Sequence, residues 1–467
     1  MADREPVVVA GGGMAGLVTS LLLARSGRAV RLIERDLRSG EDWAADALQE
    51  RRAGVAQYHQ PHAFMPRAYT LLRDRLPDVL EVLLHQGATE IDLAPAGDPQ
   101  AGDEDLVFLG VRRPLIEWAL RGAVASEPRI ALHAGRITGL RWHEGPPDRV
   151  CGVATDRGDV AGALVVDAMG RTSATPRWLA ERGLALAREA SDVGVVYYSR
   201  SYRLKDGISL PAAPSPFGPR VDHGFVSAAT FIGDARTYCV VVMVPTWDTA
   251  LKSVRHSAAF EAFCRATPAL APMVDPDRAT PLGDVLPMGA LQTVWHGFDR
   301  QPALGLVAVG DSFCHTDPSF ALGMSNAFVH GAALADALAA RTDEAAAAAA
   351  YYAAVTDELR ERFEFARDVA AARIERMRGG TEPLSRSGSY PFWSLTATLS
   401  CAGLDPQVHR LAYRRHGYLD RLGRFDRDAA MQERVDALFA TVAALMRQAP
   451  RLDRDALLSE MPAAPGG

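Results

Sequence analysis

Three glycines and one acid carry the clearest chemistry in the chain. Gly11-x-Gly13-x-x-Gly16, with Glu34 standing 23 residues beyond Gly11, is a spacing that suits a dinucleotide. Gly11 allows a tight turn, Gly13 lets a pyrophosphate approach bare backbone, and Gly16 lets a helix pack closely on a strand. An acid at the end of the following strand can hydrogen-bond a ribose. The unpaired N–H groups at the helix start then face the phosphates. The bland alternative is a glycine-rich turn with no ligand. The setting speaks against it, because the glycines follow a strand, open a helix and have the acid at the right distance. The spacing does not say which dinucleotide.

The elements that must hold these residues can be read around them. The apolar, β-branched run 7–10 reads as a buried parallel strand, 17–26 as a helix, and 30–33 as the next strand, closed by Glu34. A polar stretch to about residue 52 reads as a loop or short helix. His59 and His62 follow in a segment that breaks any helical period. No carboxylate or cysteine stands at ligand spacing beside them, so they read as solvated imidazoles and not a metal site. From 66 to 86 apolar residues return at helical spacing, with Leu71, Leu72, Leu76, Leu80 and Leu84 near one face. Arg112-Arg113-Pro114 introduces a helix over 115–125, Pro114 suiting its first turn. Arg113 is a cation at a helix start, where the dipole gives it nothing, so an external anion is its expected partner. Strands are expected at 130–133, 136–141, 151–155 and 163–167, the last ending in Asp167 and turning through Gly170-Arg171-Thr172-Ser173.

From 192 to about 288 the texture changes. Aromatic and β-branched runs with partial alternation, at 193–203 and 237–245, are separated by Pro-rich loops such as 211–219. They read as an antiparallel sheet inserted between halves of the nucleotide domain, with a helix at 257–266 lying on it. The nucleotide domain resumes with a buried strand at 304–309, ends at Gly310-Asp311, and leads through Gly323-Met324-Ser325-Asn326 into an Ala-rich helix to about 340. A long helix is expected over 342–377, stopped by Gly379-Gly380, and a further helical group over 405–458. The last residues, 461–467, read as frayed. The fold class is therefore α/β: a Rossmann-like nucleotide domain (1–190 and 291–340), an inserted antiparallel-sheet substrate domain (191–290) and a helical C-terminal region (341–467).

Composition bounds the function. The chain has 467 residues, 48% hydrophobic and 23% charged, as a soluble globular protein of two or three domains would. A net charge of −6 gives no electrostatic case for nucleic acid. No apolar run is long enough to cross a bilayer, and the first residues do not resemble a signal peptide. The five scattered cysteines, Cys151, Cys239, Cys264, Cys314 and Cys401, suggest reduced thiols and a cytoplasmic home.

Three separated segments now resemble one family. The glycine turn with Glu34-Arg35, the Asp167-Ala168-Met169-Gly170-Arg171 turn, and Gly310-Asp311 with Pro318 and Gly323 are similar to the three signatures of group A FAD-dependent monooxygenases, which share the p-hydroxybenzoate hydroxylase fold. Arg52-x-Gly54-Val55-x-Gln57 with His62, Arg113-Pro114-Leu115, Asp167-x-x-Gly170-Arg171-x-Ser173 and Gly310-Asp311-Ser312 most resemble the actinobacterial natural-product branch that includes polyether epoxidases. The resemblance covers roughly residues 5–340. It implies that Gly11, Gly13, Met14, Ala15 and Gly16 cradle the FAD pyrophosphate, that Glu34 holds the adenosine ribose and that Arg35 flanks the adenine. It implies Arg113 at the FAD phosphates or ribose, Ile137 meeting the adenine through its backbone, and Asp311 at the ribityl or pyrophosphate end. Gly323 and Met324 would bring a helix start to the isoalloxazine edge, and Arg52 would lie near the flavin's mobile position. The sequence departs from the pattern at Ala168, Ala321 and Ser325, where the family usually has Gly, Gly and Asn. It departs again at Cys314, the usual histidine position, with His315 displaced by one. These two read as a core thiol and a loop imidazole, against a covalent flavin link.

The resemblance implies an NAD(P)H- and O2-dependent enzyme. FAD reduced by NADPH or NADH would form a C4a-hydroperoxide and pass one oxygen atom to an aromatic or alkene-bearing (polyene) small molecule. A separate flavin reductase is a candidate partner. Tyr197, Arg200, Tyr202 and His223 are pocket candidates; no catalytic acid or base can be named. The alternatives are a dehydrogenase, reductase or halogenase on the same fold, the last weakened because no Trp-x-Trp-x-Ile-Pro segment is present, and a non-catalytic flavin-binding module.

Overall fold

The computed structural model describes residues 5–37, 52, 54–55, 57–211, 213, 215–379, 389–448 and 452–462. The stretch expected as a loop or short helix after Asp36 falls mostly at 38–51, outside the described residues. So do Gly380 and most of the expected frayed end.

The central sheet has five parallel strands in the order Leu306–Ala308, Leu164–Asp167, Val7–Ala10, Val30–Glu34, Ile130–Ala134. Consecutive strand residues point to opposite faces. Val7, Val8 and Val9 are all fully buried, so both faces of the central strand are covered. That is why the run reads as continuously apolar and not alternating. The chain leaves Val7–Ala10 for one neighbour through helix Met14–Arg25, and the strand's other neighbour comes from residues 164–167. The order therefore diverges beside Val7–Ala10, where open α/β sheets bind ligands. Gly11, Glu34, Asp167 and Gly310 all stand at or just past the carboxyl ends of their strands.

The antiparallel sheet runs Arg220–Asp222, Ser227–Ile232, Thr237–Pro245, Val195–Leu204, Ala279–Pro281, with Leu286–Met288 also paired to Val195–Leu204. Alternation splits its side chains. Tyr198, Tyr202, Val240, Val242 and Val244 pack on helix Ser257–Ala266, whereas Tyr197, Cys239, Val241 and Met243 share the opposite face with Met377. Strands Glu189–Asp192, Gln292–Trp295 and Cys314–His315 form a small antiparallel sheet where the chain enters and leaves this unit. They are too short and mixed in character to stand out in the sequence.

Several expectations need correction. The helical stretch 66–86 is two helices, Pro66–Arg75 and Pro77–His85. The residue before a proline is pushed out of the helical region, and Leu76 sits at φ −137°, ψ 51°. The break turns the apolar stripe, leaving Leu71 half-buried and Leu84 37% exposed. His315 lies in a strand, not a loop. Helix Tyr390–Cys401 precedes the expected C-terminal group. The residues after 341 are helical but divide among cores. Tyr351, Tyr352, Leu359 and Phe363 of helix Glu344–Met377 complete the core of the parallel sheet. Leu457 of helix Arg454–Glu460 enters the core of the antiparallel one.

Candidate nucleotide site and adjoining cleft

The three glycines differ in what surrounds them. Gly11 has φ +106°, and a Cβ there would lie 2.7 Å from the carbonyl oxygen of Ala168. A Cβ on Gly16 would fall 1.8 Å from the Gly11 oxygen. Both positions are therefore glycine because backbone crosses backbone. Gly13 is the opposite case: nothing lies within 4 Å of an added Cβ. Gly13 is also the N-cap of helix Met14–Arg25, and no side chain caps the first turn. The first intrahelical bond runs from Leu17 N–H to the Gly13 carbonyl at 2.9 Å. The N–H groups before it are donors in front of open space, which is what an anionic group requires.

Two further turns close on this one. A Cβ on Gly310, at φ +59°, would meet the Cβ of Ala15 at 2.7 Å, and one on Gly323 would lie 3.6 Å from Asp311 Oδ1. The Gly310 N–H donates to Nδ1 of the buried His330 at 2.9 Å. Burial holds that imidazole down to about 3, so it is the neutral acceptor this bond needs. Asp167 fixes the second turn to the third. Its carboxylate accepts from Met169 N–H (3.0 Å), Ser173 Oγ (2.5 Å) and Ser312 Oγ (3.0 Å), and Ser312 Oγ accepts from Gly170 N–H (2.8 Å). Burial raises Asp167 against these donors. Asp311 is half-buried and also raised by burial, against the pull of Arg113 and Arg171. Among the described residues no hydrogen-bond donor meets its carboxylate.

Glu34 faces the glycine turn directly. Its Oε2 accepts from Gly12 N–H at 2.7 Å and lies 3.3 Å from Arg52 Nη2, and its Oε1 accepts from Asp36 N–H at 2.9 Å. Gly135 N–H donates to the Glu34 carbonyl at 3.1 Å, which brings the segment leading to Ile137 to the same edge. Arg35 lies exposed beside Asp36, 3.6 Å away.

Arg113 corrects an expectation. It does stand at a helix start, but its partner is internal: Nε donates to Glu117 Oε1, one turn on, at 2.7 Å. Glu117 is fully buried and also takes Arg52 Nη1, with Arg121 Nη2 at 3.5 Å. Burial alone would raise its pKa, but Arg113 and Arg52 together hold the carboxyl below its usual range. Sequence reading missed Glu117. The signal was an acid four residues after Arg113 in an otherwise apolar helix. His62 adjoins this group, its Nε2 3.4 Å from Arg113 Nη1, and burial takes it down to about 3.

Beyond His62 opens a cleft of about 630 Å³, within the range of small-molecule sites. One wall is His59, Gln60, Pro61, Arg112 and Pro114; the other is the antiparallel sheet, through Ser201, Arg203, Phe231 and Cys239. The walls are tied together by Asp234, which accepts from Arg112 at its N–H (2.7 Å), Nε (3.0 Å) and Nη2 (2.5 Å). Three of the four pocket candidates point elsewhere. Arg200 binds Glu261 Oε1 at 2.5 Å and Gly283 O at 2.9 Å. Tyr202 stacks on Tyr238 in the core under helix Ser257–Ala266. His223 accepts from Leu452 N–H at 3.4 Å. Strand alternation puts Arg200 and Tyr202 on the far face. Tyr197 is on the near face, but its hydroxyl is committed to Asp317, which also binds Arg373 Nη2 at 2.6 Å. Cys314 is fully buried in the core and raised far above its usual value by burial, so it is a thiol and not a thiolate. Among the described residues no cluster of three metal-ligating side chains occurs, and no helix is long and apolar enough to cross a membrane.

Comparisons with known proteins agree with this architecture. The family model of the NAD(P)-binding Rossmann-like domain matches residues 9–76. Kynurenine 3-monooxygenase of Salinispora arenicola (strain CNS-205) is 26% identical over 464 residues, covering 95% of this chain and 97% of that protein. Protein Rv3254 of Mycobacterium tuberculosis is 24% identical over 376 residues, covering 72% and 74%. Among solved structures, PqsL of Pseudomonas aeruginosa, a probable FAD-dependent monooxygenase, superposes with a TM-score of 0.58 at 18% identity, covering 80% of this chain and 98% of that one. The flavin-dependent brominase Bmp2 gives 0.57 at 17% identity, covering 89% and 100%. The chain thus shares its fold with FAD-dependent monooxygenases and halogenases, and carries a Rossmann-like nucleotide-binding unit at its N-terminal end.

Proposed function

We propose that the chain binds FAD and is an FAD-dependent monooxygenase that inserts one oxygen atom from O2 into an aromatic or alkene-bearing small molecule, in natural-product biosynthesis. NADPH or NADH is the reductant. The observation that carries the reading is the uncapped helix start at Gly13, with nothing within 4 Å of an added Cβ, in a helix whose first turn is met at Ala15 by Gly310, the residue before Asp311. The residues present fit the cofactor. Backbone N–H groups of 13–16 would hold the pyrophosphate, Glu34 the adenosine ribose, and Asp311 the ribityl or pyrophosphate end. Arg35 and the backbone of Ile137 would border the adenine. Arg52 and Arg113, already paired to Glu117, would add positive potential without being drawn fully out of their network. Gly323 and Met324 would present helix N–H groups to the ring edge, where negative charge is favoured.

Bound there, FAD would supply hydride acceptance and oxygen activation; the chain supplies position, dryness and charge. The cleft between the two units is the proposed substrate side, with Phe231 and Leu286 offering apolar surface and Gln60, Ser201 and Arg203 offering polar groups. His62 is neutral at physiological pH; its Nδ1–H donates to the Gln60 carbonyl at 2.8 Å, which leaves Nε2 as an acceptor facing Arg113.

The test is direct. The purified chain is mixed with FAD, passed through gel filtration and scanned in the visible range. It is then given NADPH or NADH with a panel of aromatic and polyene compounds while O2 uptake and product mass are followed. Retained flavin and a product heavier by one oxygen atom are expected. Turnover only with an artificial acceptor in the absence of O2 would instead indicate a dehydrogenase. No retained flavin at all would overturn the reading.

A further inference from the structure

One row of the antiparallel sheet carries a cation with no partner in the chain. Residues directly opposite on neighbouring antiparallel strands point to the same face. Arg220 stands opposite Ala229, Ala229 opposite Val241, and Val241 opposite Ser199. Val241 lies on the near face with Tyr197 and Cys239, so Arg220, Ala229 and Ser199 lie on it too. Ala229 stays half-buried although its strand is inside the sheet, so the space over the row is open. At the far end of the row the Ser199 hydroxyl is buried with no hydrogen-bond partner.

Among the described residues Arg220 makes no hydrogen bond and no ion pair. The acid that acts on it, Asp222, is bound by Arg376 Nη2 at 3.1 Å, and Asp317, deeper in, is taken by Arg373 and Tyr197. Glu358, Glu361 and Asp426 act on Arg362 and Arg415, and none of them acts on Arg220. Arg220 is exposed, yet burial lowers its pKa, and it helps to hold the ring of His416, on helix Pro406–His416, down to about 4. A cation with both properties sits in a recess that reaches the interior, not on open surface. It stays charged at neutral pH. His416 is a neutral ring, and among the described residues it too has no hydrogen-bond partner.

The apolar surroundings are aromatic. Phe231, two residues past Ala229 on the same face, lines the cleft and borders the same apolar cluster as Phe217, Ala321 and Leu399. Phe217 meets the rings of Phe108 and Tyr413, with centroids 4.8 Å and 6.1 Å apart. Ala321 immediately precedes helix Leu322–Ala340, whose Gly323 and Met324 are assigned above to the flavin ring edge. We propose that this near-face recess seats the substrate and that the substrate is an aromatic carboxylate, its carboxylate on Arg220 and its ring against Phe217 and Phe231. The proposal rests on the flavoenzyme reading above and narrows it. A planar guanidinium meets a carboxylate through two parallel N–H bonds. Neutral His416, near enough to feel Arg220, offers one more N–H, and the small side chain of Ala229 leaves room for a ring. Arg220 is then the residue that selects an acid over its neutral analogue.

The experiment uses the full chain loaded with FAD. Benzoate, cinnamate and 2-naphthoate are each titrated beside the matching primary amide while the flavin spectrum is followed. Melting of the flavin-free chain is measured with the same compounds. At least one acid should saturate, and bind about 10- to 100-fold more tightly than its amide. Arg220→Gln should erase that preference and still retain flavin, and Arg220→Lys should keep part of it. Acids that never saturate, amides that bind as well, or an unchanged preference in Arg220→Gln would each overturn the proposal. If the wild type retains no flavin, the cofactor reading alone fails, because the acid-over-amide difference in the flavin-free melts still decides for or against Arg220.

Discussion

Gly13 and Gly16 sit in one motif three residues apart, yet the structure gives their substitution opposite consequences. Gly13 has φ −80° and ψ −173°, ordinary extended backbone that valine adopts, and its Cβ would touch nothing within 4 Å. Gly13→Val should therefore cost the apo protein no more than about 1 kcal/mol at the N-cap, or about 2 °C in melting temperature. The new side chain would project where a pyrophosphate must reach the N–H groups of the first helical turn. Flavin retention should fall by at least about 100-fold, the loss of roughly two charge-assisted bonds. Gly16→Ala is the reverse. Its single added carbon would lie 1.8 Å from the Gly11 oxygen, so backbone must move by more than an ångström. Overpacking costs about 1–3 kcal/mol even when only side chains give way. The variant should melt at least about 4 °C lower, with or without FAD in the buffer. The assay is flavin absorbance per chain after gel filtration, paired with melting of the apo form. A fully yellow Gly13→Val would refute the phosphate cradle. A Gly16→Ala that melts with the wild type would refute the packing argument.

Three other outcomes follow from the same site. Glu117→Gln leaves Arg52 and Arg113 buried without their shared counter-charge; breaking such a group costs about 3–5 kcal/mol, so the unfolding midpoint should drop by at least about 6 °C, and a shift under 1 °C would contradict it. Glu34→Ala removes a charge-assisted bond expected to the ribose, worth about 1.5–3 kcal/mol, and should weaken FAD binding by about 10- to 100-fold in a fluorescence titration; because Gly12 loses its acceptor too, some apo stability should go with it. His330 is neutral in the folded chain down to about 3 but takes a proton near 6.5 when unfolded. The unfolded state thus binds the extra proton as pH falls through 6.5. Stability should decline from there, by about 2 kcal/mol for this group between pH 6.5 and pH 5. His330→Asn should show a shallower decline in denaturant melts across that range.

The sequence carries the parallel-sheet half of the fold plainly because its signals are local. A fully buried strand shows as Val7-Val8-Val9 whatever packs on it, and the glycines are dictated by a neighbouring turn. Strand Val195–Leu204 showed equally well as a strand. Which of its faces meets the cleft did not, because alternation fixes two sets of residues without saying which set faces outward. Arg200 and Tyr202 were therefore as eligible as Ser201 and Arg203 until the partner helix, Ser257–Ala266, was in place. Arg113 shows a different limit. Its need for an anion was legible from its place at a helix start, but the anion is four residues along the same helix. Asp234 and Asp317 lie in loops whose side chains have no periodicity, and each finds its arginine more than fifty residues away in sequence.

Those long-range arginine pairs bear on how the site works as a unit. The walls of the cleft belong to different sheets, and Asp234 clamps Arg112 immediately before the helix that begins with Arg113. Arg113 in turn shares Glu117 with Arg52, and Arg52 reaches Glu34 at the glycine turn. Two ion-pair groups, Asp234–Arg112 and Arg113–Glu117–Arg52–Glu34, thus connect the antiparallel sheet to the nucleotide cradle, joined to each other through the backbone between Arg112 and Arg113. An added negative charge at the cradle competes for Arg52 and Arg113, loosening their hold on Glu117 while its own attraction replaces part of it. If the cofactor binds as proposed, its binding and the seating of the Arg113–Ser126 helix are coupled through Glu117. Glu117→Gln should consequently weaken FAD binding less than it weakens folding, since the freed arginines gain a new partner in the phosphates. A larger loss in binding than in stability would show that the arginines are positioned by Glu117 for the cofactor and do not merely neutralise it.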